Sequence, residues 1–229
     1  HDDQHGTAIV LMAALINAAK VVEKDLTSLR IVINGAGAAG IAIAKFVSRT
    51  GFESYSDQAV EDVIVCDSNG IISKDRSDLN PVKKKLLSYS NKEDRKGSLS
   101  DALVDADVFI GVSKGNVVTP EDIRRMAKDP IIFAMANPIP EIMPEDALSA
   151  GAKVIGTGRS DFPNQVNNVL VFPGIFRGAL DGRAKTINNR MKIAASEALA
   201  ACVDTPTPDQ ILPHPLDRTV APAIAKMVR

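Results

Sequence analysis

R-I-V-I-N-G-A-G-A-A-G, residues 30–40, joins a short apolar strand to a helix through three closely spaced glycines. Gly35 permits a tight turn, Gly37 lets a ligand approach the backbone, and Gly40 lets the following helix lie close to the strand. Free amides at a helix N-terminus attract phosphate charge. The turn therefore predicts a dinucleotide site. The residues expected at the pyrophosphate are Gly35, Gly37, Ala38, Ala39 and Gly40.

The residues around this turn matter, because a GxGxxG pattern also occurs in turns that bind nothing. Before it, Ile31, Val32 and Ile33 form the β-branched run that is typical of a buried parallel strand. After it, residues 38–47 combine small side chains with the apolar spacing of a helix. A strand, a glycine turn and a helix in this order favour a nucleotide-binding unit.

Strands and helices continue to alternate along the chain. Further strands are predicted at residues 63–66, 107–111, 130–135 and 153–157. Residues 51–62 are polar and predict an inserted loop, whereas the apolar residues 8–22 predict a buried helix. The alternation predicts an α/β fold, a doubly wound Rossmann-type sheet that is mostly parallel and has helices on both faces.

The last third of the chain predicts helices rather than strands. Residues 173–201 predict two helices, which Asp181-Gly182-Arg183 separates, and residues 220–228 predict a terminal helix. We therefore expect a Rossmann core with helical flanks. Their bounds are 26–181 for the core and 1–25 and 182–229 for the flanks.

Asp67 follows the predicted strand 63–66 and bears on the choice of cofactor. Its carboxylate could accept hydrogen bonds from the adenosine ribose, although it could also be an ordinary polar residue that closes a strand. It lies farther than the usual ~20 residues past the turn, because the predicted loop intervenes. A carboxylate at the ribose would repel a 2′-phosphate, so NAD is favoured over NADP. Lys74 and Arg76 nearby keep NADP possible.

Composition and charge narrow the classes of function. The chain has 229 residues and is 45% apolar, which is normal for a globular chain with one sizeable core. Its 27 basic and 28 acidic residues are mixed along the sequence and give a net charge of −1. This balance provides no field that would attract nucleic acid or an anionic membrane, so we expect neither as a partner.

Cysteines and apolar stretches bear on the protein's location. Cys66 and Cys202 lack the spacing of a metal site or a disulfide framework, which suits the reducing cytoplasm. The most apolar stretch, residues 8–22, contains Asn17 and Lys20 and is shorter than the ~20 residues that cross a bilayer. No secretory signal is visible at the start. We therefore expect a cytoplasmic protein without a membrane span.

Several polar residues lie where open parallel sheets hold their ligands, beyond the carboxyl ends of strands. Val112 and Ser113 follow the strand 107–111 and should lie along the cofactor. Asn137 follows the strand 130–135, where two prolines force an extended exit. Asn-Pro is also a common turn former, and the residues alone favour that interpretation.

The chain starts with H-D-D-Q-H-G-T-A, residues 1–8, directly before the apolar helix. Considered alone, Asp2 and Asp3 are best explained as an acidic cap that stabilises the helix start. No third histidine or cysteine lies near His1 and His5, so a structural role is favoured over a transition-metal site.

Four segments, in this order, nevertheless resemble the C-terminal portion of malic enzymes, most closely the short bacterial form. They are H-D-D-Q-H-G-T-A at 1–8, G-A-G-A-A-G at 35–40, A-N-P-I-P-E-I at 136–142 and V-N-N-V-L-V-F-P-G at 166–174. The ending at 211–225 is similar to the last helix-bearing segment of that family. The resemblance implies that residues 1–229 form the C-terminal NAD(P)-binding domain of such an enzyme.

The resemblance implies oxidative decarboxylation of malate to pyruvate and carbon dioxide, with NAD or NADP accepting the hydride and Mg²⁺ or Mn²⁺ polarising the substrate. It implies that Asp3 is a metal ligand and that Asp2 orients and tunes the general base. A hard divalent ion prefers such carboxylate oxygens. The resemblance also implies that Thr7 lies close to the cofactor, that Asn137 contacts the substrate or nicotinamide, and that Asn168 reaches malate.

One departure from the family pattern limits this prediction. The family's tyrosine acid, lysine base and two further acidic metal ligands belong to an N-terminal catalytic domain that this sequence does not contain, and Tyr55 and Tyr89 do not match that tyrosine. We therefore expect the chain to bind nucleotide without turnover and to bind metal weakly. The resemblance implies that its partners are malate, its own N-terminal domain and further copies of the enzyme. The apolar opening helix is a candidate interface.

Two other classes of protein remain open at this point. A related two-domain dehydrogenase that acts on amino acids would share the nucleotide domain but would not need the segment at residues 1–8. A non-catalytic nucleotide-binding module would need no catalytic partner domain. Testing malate turnover after an upstream domain is restored separates these alternatives.

Overall fold

The computed structural model describes the backbone of residues 1–229 and every side chain except that of Glu53. Its strands are β1 Arg30–Asn34, β2 Asp62–Asp67, β3 Gly70–Ile71, β4 Val108–Gly111, β5 Ile131–Ala134 and β6 Val154–Thr157. Its α-helices are α1 Thr7–Val21, α2 Ala38–Val47, α3 Pro81–Leu86, α4 Leu99–Leu103, α5 Pro120–Arg124, α6 Pro144–Ser149, α7 Phe172–Asp181, α8 Asn189–Ala200 and α9 Val220–Val228. A π-helical turn, Asp2–Gly6, precedes α1, and 3-10 segments lie at Leu26–Ser28, Glu53–Gln58 and Asn168–Leu170.

These strands form one sheet in the order β3-β2-β1-β4-β5-β6. Every pairing is parallel except that of β2 with the two-residue β3. The chain winds outward from β1 in one direction and then, from β4, in the other, which is the doubly wound arrangement. The predicted fold class is confirmed. The edge strand β3 was not predicted, because two residues are too short to show a strand period.

The side chains of β1 explain why the sheet has helices on both faces. Ile31 and Ile33 point into a core that includes α1, α2 and α8, whereas Val32 points into a second core with α4, α5 and α6. This alternation follows from the pleat of a strand, and all three side chains are at most 1% exposed. A central parallel strand therefore needs the continuous apolar run that the sequence has.

Helix α1 is the most enclosed helix of the larger core. Residues 8–15 are at most 4% exposed, so the predicted buried helix is confirmed. Asn17 fixes its place, because its amide donates to the carbonyls of Ala200 and Ile211 at 2.9 Å each. Most apolar side chains of α1 are covered within the chain, so they leave little surface for the interface suggested for this helix.

The C-terminal helices also form as the sequence predicts. Gly182 caps α7, and its φ of −78° is in the right-handed region rather than the left-handed one. A Cβ at Gly174 would lie 2.7 Å from the Cβ of Ile224, so this glycine lets α7 pack closely on α9. The predicted loop at 51–62 is more ordered than expected, because Phe52 is buried against Phe46 and a 3-10 turn follows it.

No helix in the described part of the chain is long and apolar enough to cross a membrane.

Candidate functional site

The glycine turn between β1 and α2 has the geometry of a phosphate-binding loop. Gly35 has a φ of +130°, and a Cβ there would lie 2.7 Å from the carbonyl oxygen of Val112. A Cβ at Gly40 would overlap the Gly35 carbonyl, so only glycine lets the helix start this close to the strand. A Cβ at Gly37 would meet nothing within 4 Å. The backbone at Gly37 is therefore open to a ligand.

This turn faces a cleft of about 900 Å³. The cleft lies beyond the carboxyl ends of β1, β2 and β4, where doubly wound sheets bind their ligands. Among the residues predicted to bind cofactor, Gly35, Gly37, Asp67 and Ser113 line it. Ala38, Ala39 and Gly40 form the first turn of α2 behind Gly37. Val112 lies below the turn, and its amide donates to the Asn34 carbonyl at 2.9 Å.

Asn34 and Ser113 form part of the cleft wall. The Asn34 amide donates to the hydroxyl of Ser113 at 2.9 Å and thereby joins the ends of the neighbouring strands β1 and β4. Asn34 is only 6% exposed. Sequence reasoning did not single it out, although a polar residue directly after a β-branched run and before the glycines was the available signal.

The carboxylate of Asp67 is held by two cations at the edge of the cleft. Arg76 donates to its two oxygens at 2.8 and 3.1 Å, and Lys83 donates at 2.6 Å. Burial alone would raise the pKa of Asp67, but the hydrogen bonds from Arg76, Lys83 and the Asn69 amide outweigh it and leave the pKa lowered. The Asp67 side chain is 6% exposed, so these contacts enclose it almost completely.

This arrangement alters the cofactor argument that the sequence supported. Two cations offset the charge of Asp67, so a 2′-phosphate would meet much less repulsion than an isolated carboxylate would cause. Lys83 lies in a run of three lysines, and nothing in that run distinguishes it from its exposed neighbours Lys84 and Lys85. Lys74 is not among the residues that line the cleft, and its backbone amide donates to Asp94 at 2.9 Å.

Asp2 lines a second cavity of about 190 Å³ and contacts Asn168, which is not itself one of the lining residues. The Asn168 amide donates to the Asp2 carboxylate at 2.7 Å. A Cβ at Gly6 would overlap this carboxylate, which explains the glycine in the opening segment. Burial, and then the charge of Asp3, raise the pKa of Asp2. Asp2 and Asp3 lie in the first helical turn, where their charge favours the helix dipole, but no side-chain capping hydrogen bond is formed there in the described chain.

Asp3 is not among the residues that line this cavity, and 83% of its side chain is exposed to solvent. Thr7 donates from its hydroxyl to the Asp3 carbonyl at 3.2 Å and so belongs to the same turn, not to the large cleft. Among the described side chains, no three histidine, cysteine, aspartate or glutamate residues come together as metal ligands would. The residues of this chain alone therefore do not fit a divalent cation.

Asn137 lies at the exposed carboxyl end of β5, in the loop that also contains Pro138. The amide of Asn137 makes no hydrogen bond to a described side chain, while the Pro138 carbonyl accepts from Arg159 at 2.9 Å. Asn137 is thus available to a ligand, and the structure does not bring it into contact with the pair of Asp2 and Asn168.

Glu141 is a buried acid that sequence reasoning did not select. It is 0% exposed, and its carboxylate accepts from the backbone amides of Ser113 at 3.1 Å and Ala136 at 2.9 Å. Burial raises the pKa of Glu141, whereas these two backbone hydrogen bonds act in the opposite direction. Its only sequence signal was an acid within an apolar segment, between Pro140 and Ile142.

Comparison with known proteins identifies similar chains. A family model described as "Malic enzyme, NAD binding domain" matches residues 4–228. A bifunctional malic/malolactic enzyme of Bacillus subtilis is 58% identical over 100% of this chain and 54% of its own length. An NADP-dependent malic enzyme of Rhizobium meliloti is 48% identical over 92% of this chain and 27% of its own length.

Solved structures of malic enzymes are also similar to this chain. The crystal structure of an NAD-dependent malic enzyme from Thermotoga maritima superimposes with a TM-score of 0.92 at 43% identity. The match covers 100% of this chain and 58% of that one. The chain thus spans little more than half the length of the Bacillus and Thermotoga proteins.

Proposed function

The chain belongs to the malic enzyme family, and from that premise we propose that it is the nucleotide-binding portion of an enzyme that converts malate to pyruvate and carbon dioxide while reducing NAD. The observation that carries the proposal is the glycine turn at Gly35 and Gly37, which opens onto the cleft of about 900 Å³. Its shape and position suit a dinucleotide.

The proposed roles of the cleft residues follow from their places in the sheet. The pyrophosphate would lie on the amides at the start of α2, where the helix dipole and free N–H groups favour negative charge. Adenosine would lie toward Asp67, at the end of β2. The nicotinamide would then lie across Ser113 and Asn137, beyond the ends of β4 and β5.

We propose that Asp2 and Asn168 belong to the malate side of the site. The hydrogen bond from Asn168 holds one Asp2 oxygen in place and leaves the other free to orient a general base. The family resemblance implies that this base is a lysine outside the present sequence. The base would take the proton of the malate hydroxyl as a hydride passes to nicotinamide, and carbon dioxide would leave the resulting oxaloacetate.

This chain by itself supplies few ligands for a metal ion. We propose that Asp3 supplies one ligand to Mg²⁺ or Mn²⁺ and that other carboxylates come from the part of the enzyme that this chain does not span. The exposed Asp3 carboxylate supports this division of the ligand set. By the same reasoning, the 229-residue chain should bind nucleotide without turnover.

We propose NAD as the preferred cofactor, with NADP also accepted. Asp67 at the end of β2 supports NAD, and its pairing with Arg76 and Lys83 supports tolerance of the 2′-phosphate. The likeness to both NAD- and NADP-dependent enzymes agrees with a site that differs little between the two.

We further propose a cytoplasmic homo-oligomer in which the N-terminal catalytic domain joins this chain. The unpaired thiols of Cys66 and Cys202 support a reducing compartment. Exposed apolar side chains on α7 support a covered surface, because large exposed patches of this kind mark interaction sites. They are Phe172, Phe176 and Leu180.

The activity can be tested by restoring the missing half. The N-terminal portion of the Bacillus subtilis relative, joined ahead of His1, should give malate-dependent reduction of NAD with Mn²⁺ and release pyruvate. In the same fusion, Asp3→Asn should lower turnover at least about a hundredfold if Asp3 is a metal ligand. Glu121→Gln, a change to an exposed acid on α5, is the matched control and should leave turnover unchanged.

The products separate this reaction from its alternatives. Pyruvate and NADH in equal amounts support oxidative decarboxylation. Lactate without net NADH would instead indicate the malolactic reaction that the name of the Bacillus relative includes. A folded fusion that binds NAD but catalyses neither reaction would support a non-catalytic nucleotide-binding module and overturn the proposed activity.

A further inference from the structure

Glu141 joins the two loops on which the nicotinamide half of the proposed cofactor site depends. One carboxylate oxygen accepts from the amide of Ser113, in the loop after β4, and the other from the amide of Ala136, at the end of β5. The two loops belong to neighbouring parallel strands. A single side chain therefore bridges the two loops that carry Ser113 and Asn137.

The surroundings of Glu141 are built to admit this carboxylate. A Cβ at Gly111, the last residue of β4, would overlap the Glu141 side chain, so the strand must end in glycine. The backbone carbonyl of Glu141 also accepts from the amides of Val117 and Val118 at 3.0 and 3.1 Å. Both the backbone carbonyl and the side chain of Glu141 thus hold the segment after Asn137 against the loop after β4.

The chemistry of this contact is unusual for a fold-supporting residue. The carboxylate is fully buried, and its hydrogen-bond partners are two backbone amides rather than an arginine or lysine. Burying a charge without a cation is costly unless strong hydrogen bonds compensate. An apolar residue would fill the same space at less cost, but it could not hold both amides.

We propose that Glu141 is a positioning residue that holds Ser113 and Asn137 in register for the nicotinamide half of the cofactor. The inference rests on the proposed function, since it assumes that a dinucleotide occupies the cleft. Glu141 itself does not line the cleft, so it acts through the two loops and not by contact with the ligand.

Two ligands distinguish this role from general support of the fold. ADP-ribose carries the adenosine, the pyrophosphate and the second ribose but lacks nicotinamide. If Glu141 positions the nicotinamide contacts, Glu141→Gln should weaken NADH binding about tenfold, because an amide can accept from only one of the two backbone N–H groups. ADP-ribose binding should change by less than about twofold.

Both affinities can be measured by calorimetry on the 229-residue chain, with urea unfolding as the measure of stability. Glu141→Asp keeps the charge but shortens the reach, and it replaces Glu141→Gln if that variant does not fold. Asp122→Asn is the matched control, because Asp122 is also a buried carboxylate that accepts a backbone N–H, from Thr119 at 2.9 Å. It should lose stability and keep both affinities.

The possible outcomes separate the two claims. Selective loss of NADH affinity in Glu141→Gln supports the positioning role. Equal loss of both ligands, or no loss of either, overturns it while leaving the nucleotide site intact. Failure of the unaltered chain to bind either ligand would overturn the proposed function and, with it, the role of Glu141.

Discussion

Asp2 and Asn168 are 166 residues apart in the sequence, and the Asn168 amide donates a hydrogen bond of 2.7 Å to the Asp2 carboxylate. The contact joins the turn before α1 to the 3-10 turn before α7. Family resemblance alone had linked Asp2 to the general base and Asn168 to malate. The fold brings these two distant residues into direct contact, so the proposed substrate site includes a link between two segments that are far apart in the sequence.

Changing this pair should make folding depend on pH. Asn168→Asp would place two carboxylates at hydrogen-bond distance, which raises their pKa values and should lower the free energy of unfolding by about 1–3 kcal/mol at neutral pH. The loss should shrink in acid, where one carboxyl becomes protonated and can donate. Urea unfolding at neutral and at acidic pH measures this loss of stability.

Asn167→Asp is the matched control for that change. Asn167 accepts from the Val169 amide at 3.0 Å, and an aspartate can do the same. It should therefore leave stability within about 0.5 kcal/mol. Equal destabilisation by both variants would show that the contact between Asp2 and Asn168 has no special energetic role.

Two glycines in the same turn should respond in opposite ways to alanine. Gly37→Ala should change the free energy of unfolding by less than about 0.5 kcal/mol, because a Cβ there meets nothing within 4 Å. It should nevertheless weaken NADH binding at least about tenfold, since the methyl group would occupy the space of the pyrophosphate.

Gly40→Ala should instead destabilise the fold by about 1–3 kcal/mol, because its Cβ would overlap the Gly35 carbonyl. Chemical denaturation and the fluorescence of bound NADH measure the two effects independently. A stable Gly37→Ala chain that binds NADH normally would contradict the assigned position of the pyrophosphate.

Removing the carboxylate at the ribose should change cofactor preference. Asp67→Asn frees the charges of Arg76 and Lys83 at the cleft edge, so the ratio of NADPH to NADH affinity should rise about tenfold. Asp78→Asn is the control, because Asp78 contacts Arg76 from a more exposed position outside the cleft lining. An unchanged ratio in Asp67→Asn would place the adenosine ribose elsewhere.

The same carboxylate should contribute to acid unfolding. The pKa of Asp67 is lowered in the folded chain, so its stabilising effect is present above its ordinary value near 3.8 and is lost as pH falls through the lower folded value. Asp67→Asn should therefore cost about 2 kcal/mol near neutral pH and almost nothing in strong acid. A cost that stays constant across this range would exclude the ion pairs as its origin.

Local patterns predicted much of this fold. The apolar run of β1 and the glycines after it each act over a few residues, so the sequence displays them directly. The opening helix was correctly predicted as buried for the same reason. What covers this helix could not be predicted in the same way, because α8 packs on it from almost two hundred residues away.

The candidate site was less accessible to sequence reasoning, because its decisive contacts join distant segments. Nothing near Lys83 indicates that it pairs with Asp67 rather than with solvent. Glu141 likewise has no local motif, since its partners lie on two loops that only the sheet brings together. Asp67 was found, but its two cations, which change its electrostatic effect, were not paired with it in advance.

A crystal structure of the 229-residue chain with bound NADH would test the proposed nucleotide site. We expect the pyrophosphate on the amides that follow Gly35, the adenosine ribose beside Asp67, and the nicotinamide between Ser113 and Asn137. A nucleotide bound outside this cleft, or a cleft that stays empty at saturating NADH, would contradict the conclusion that this chain is the nucleotide-binding portion of a malic enzyme.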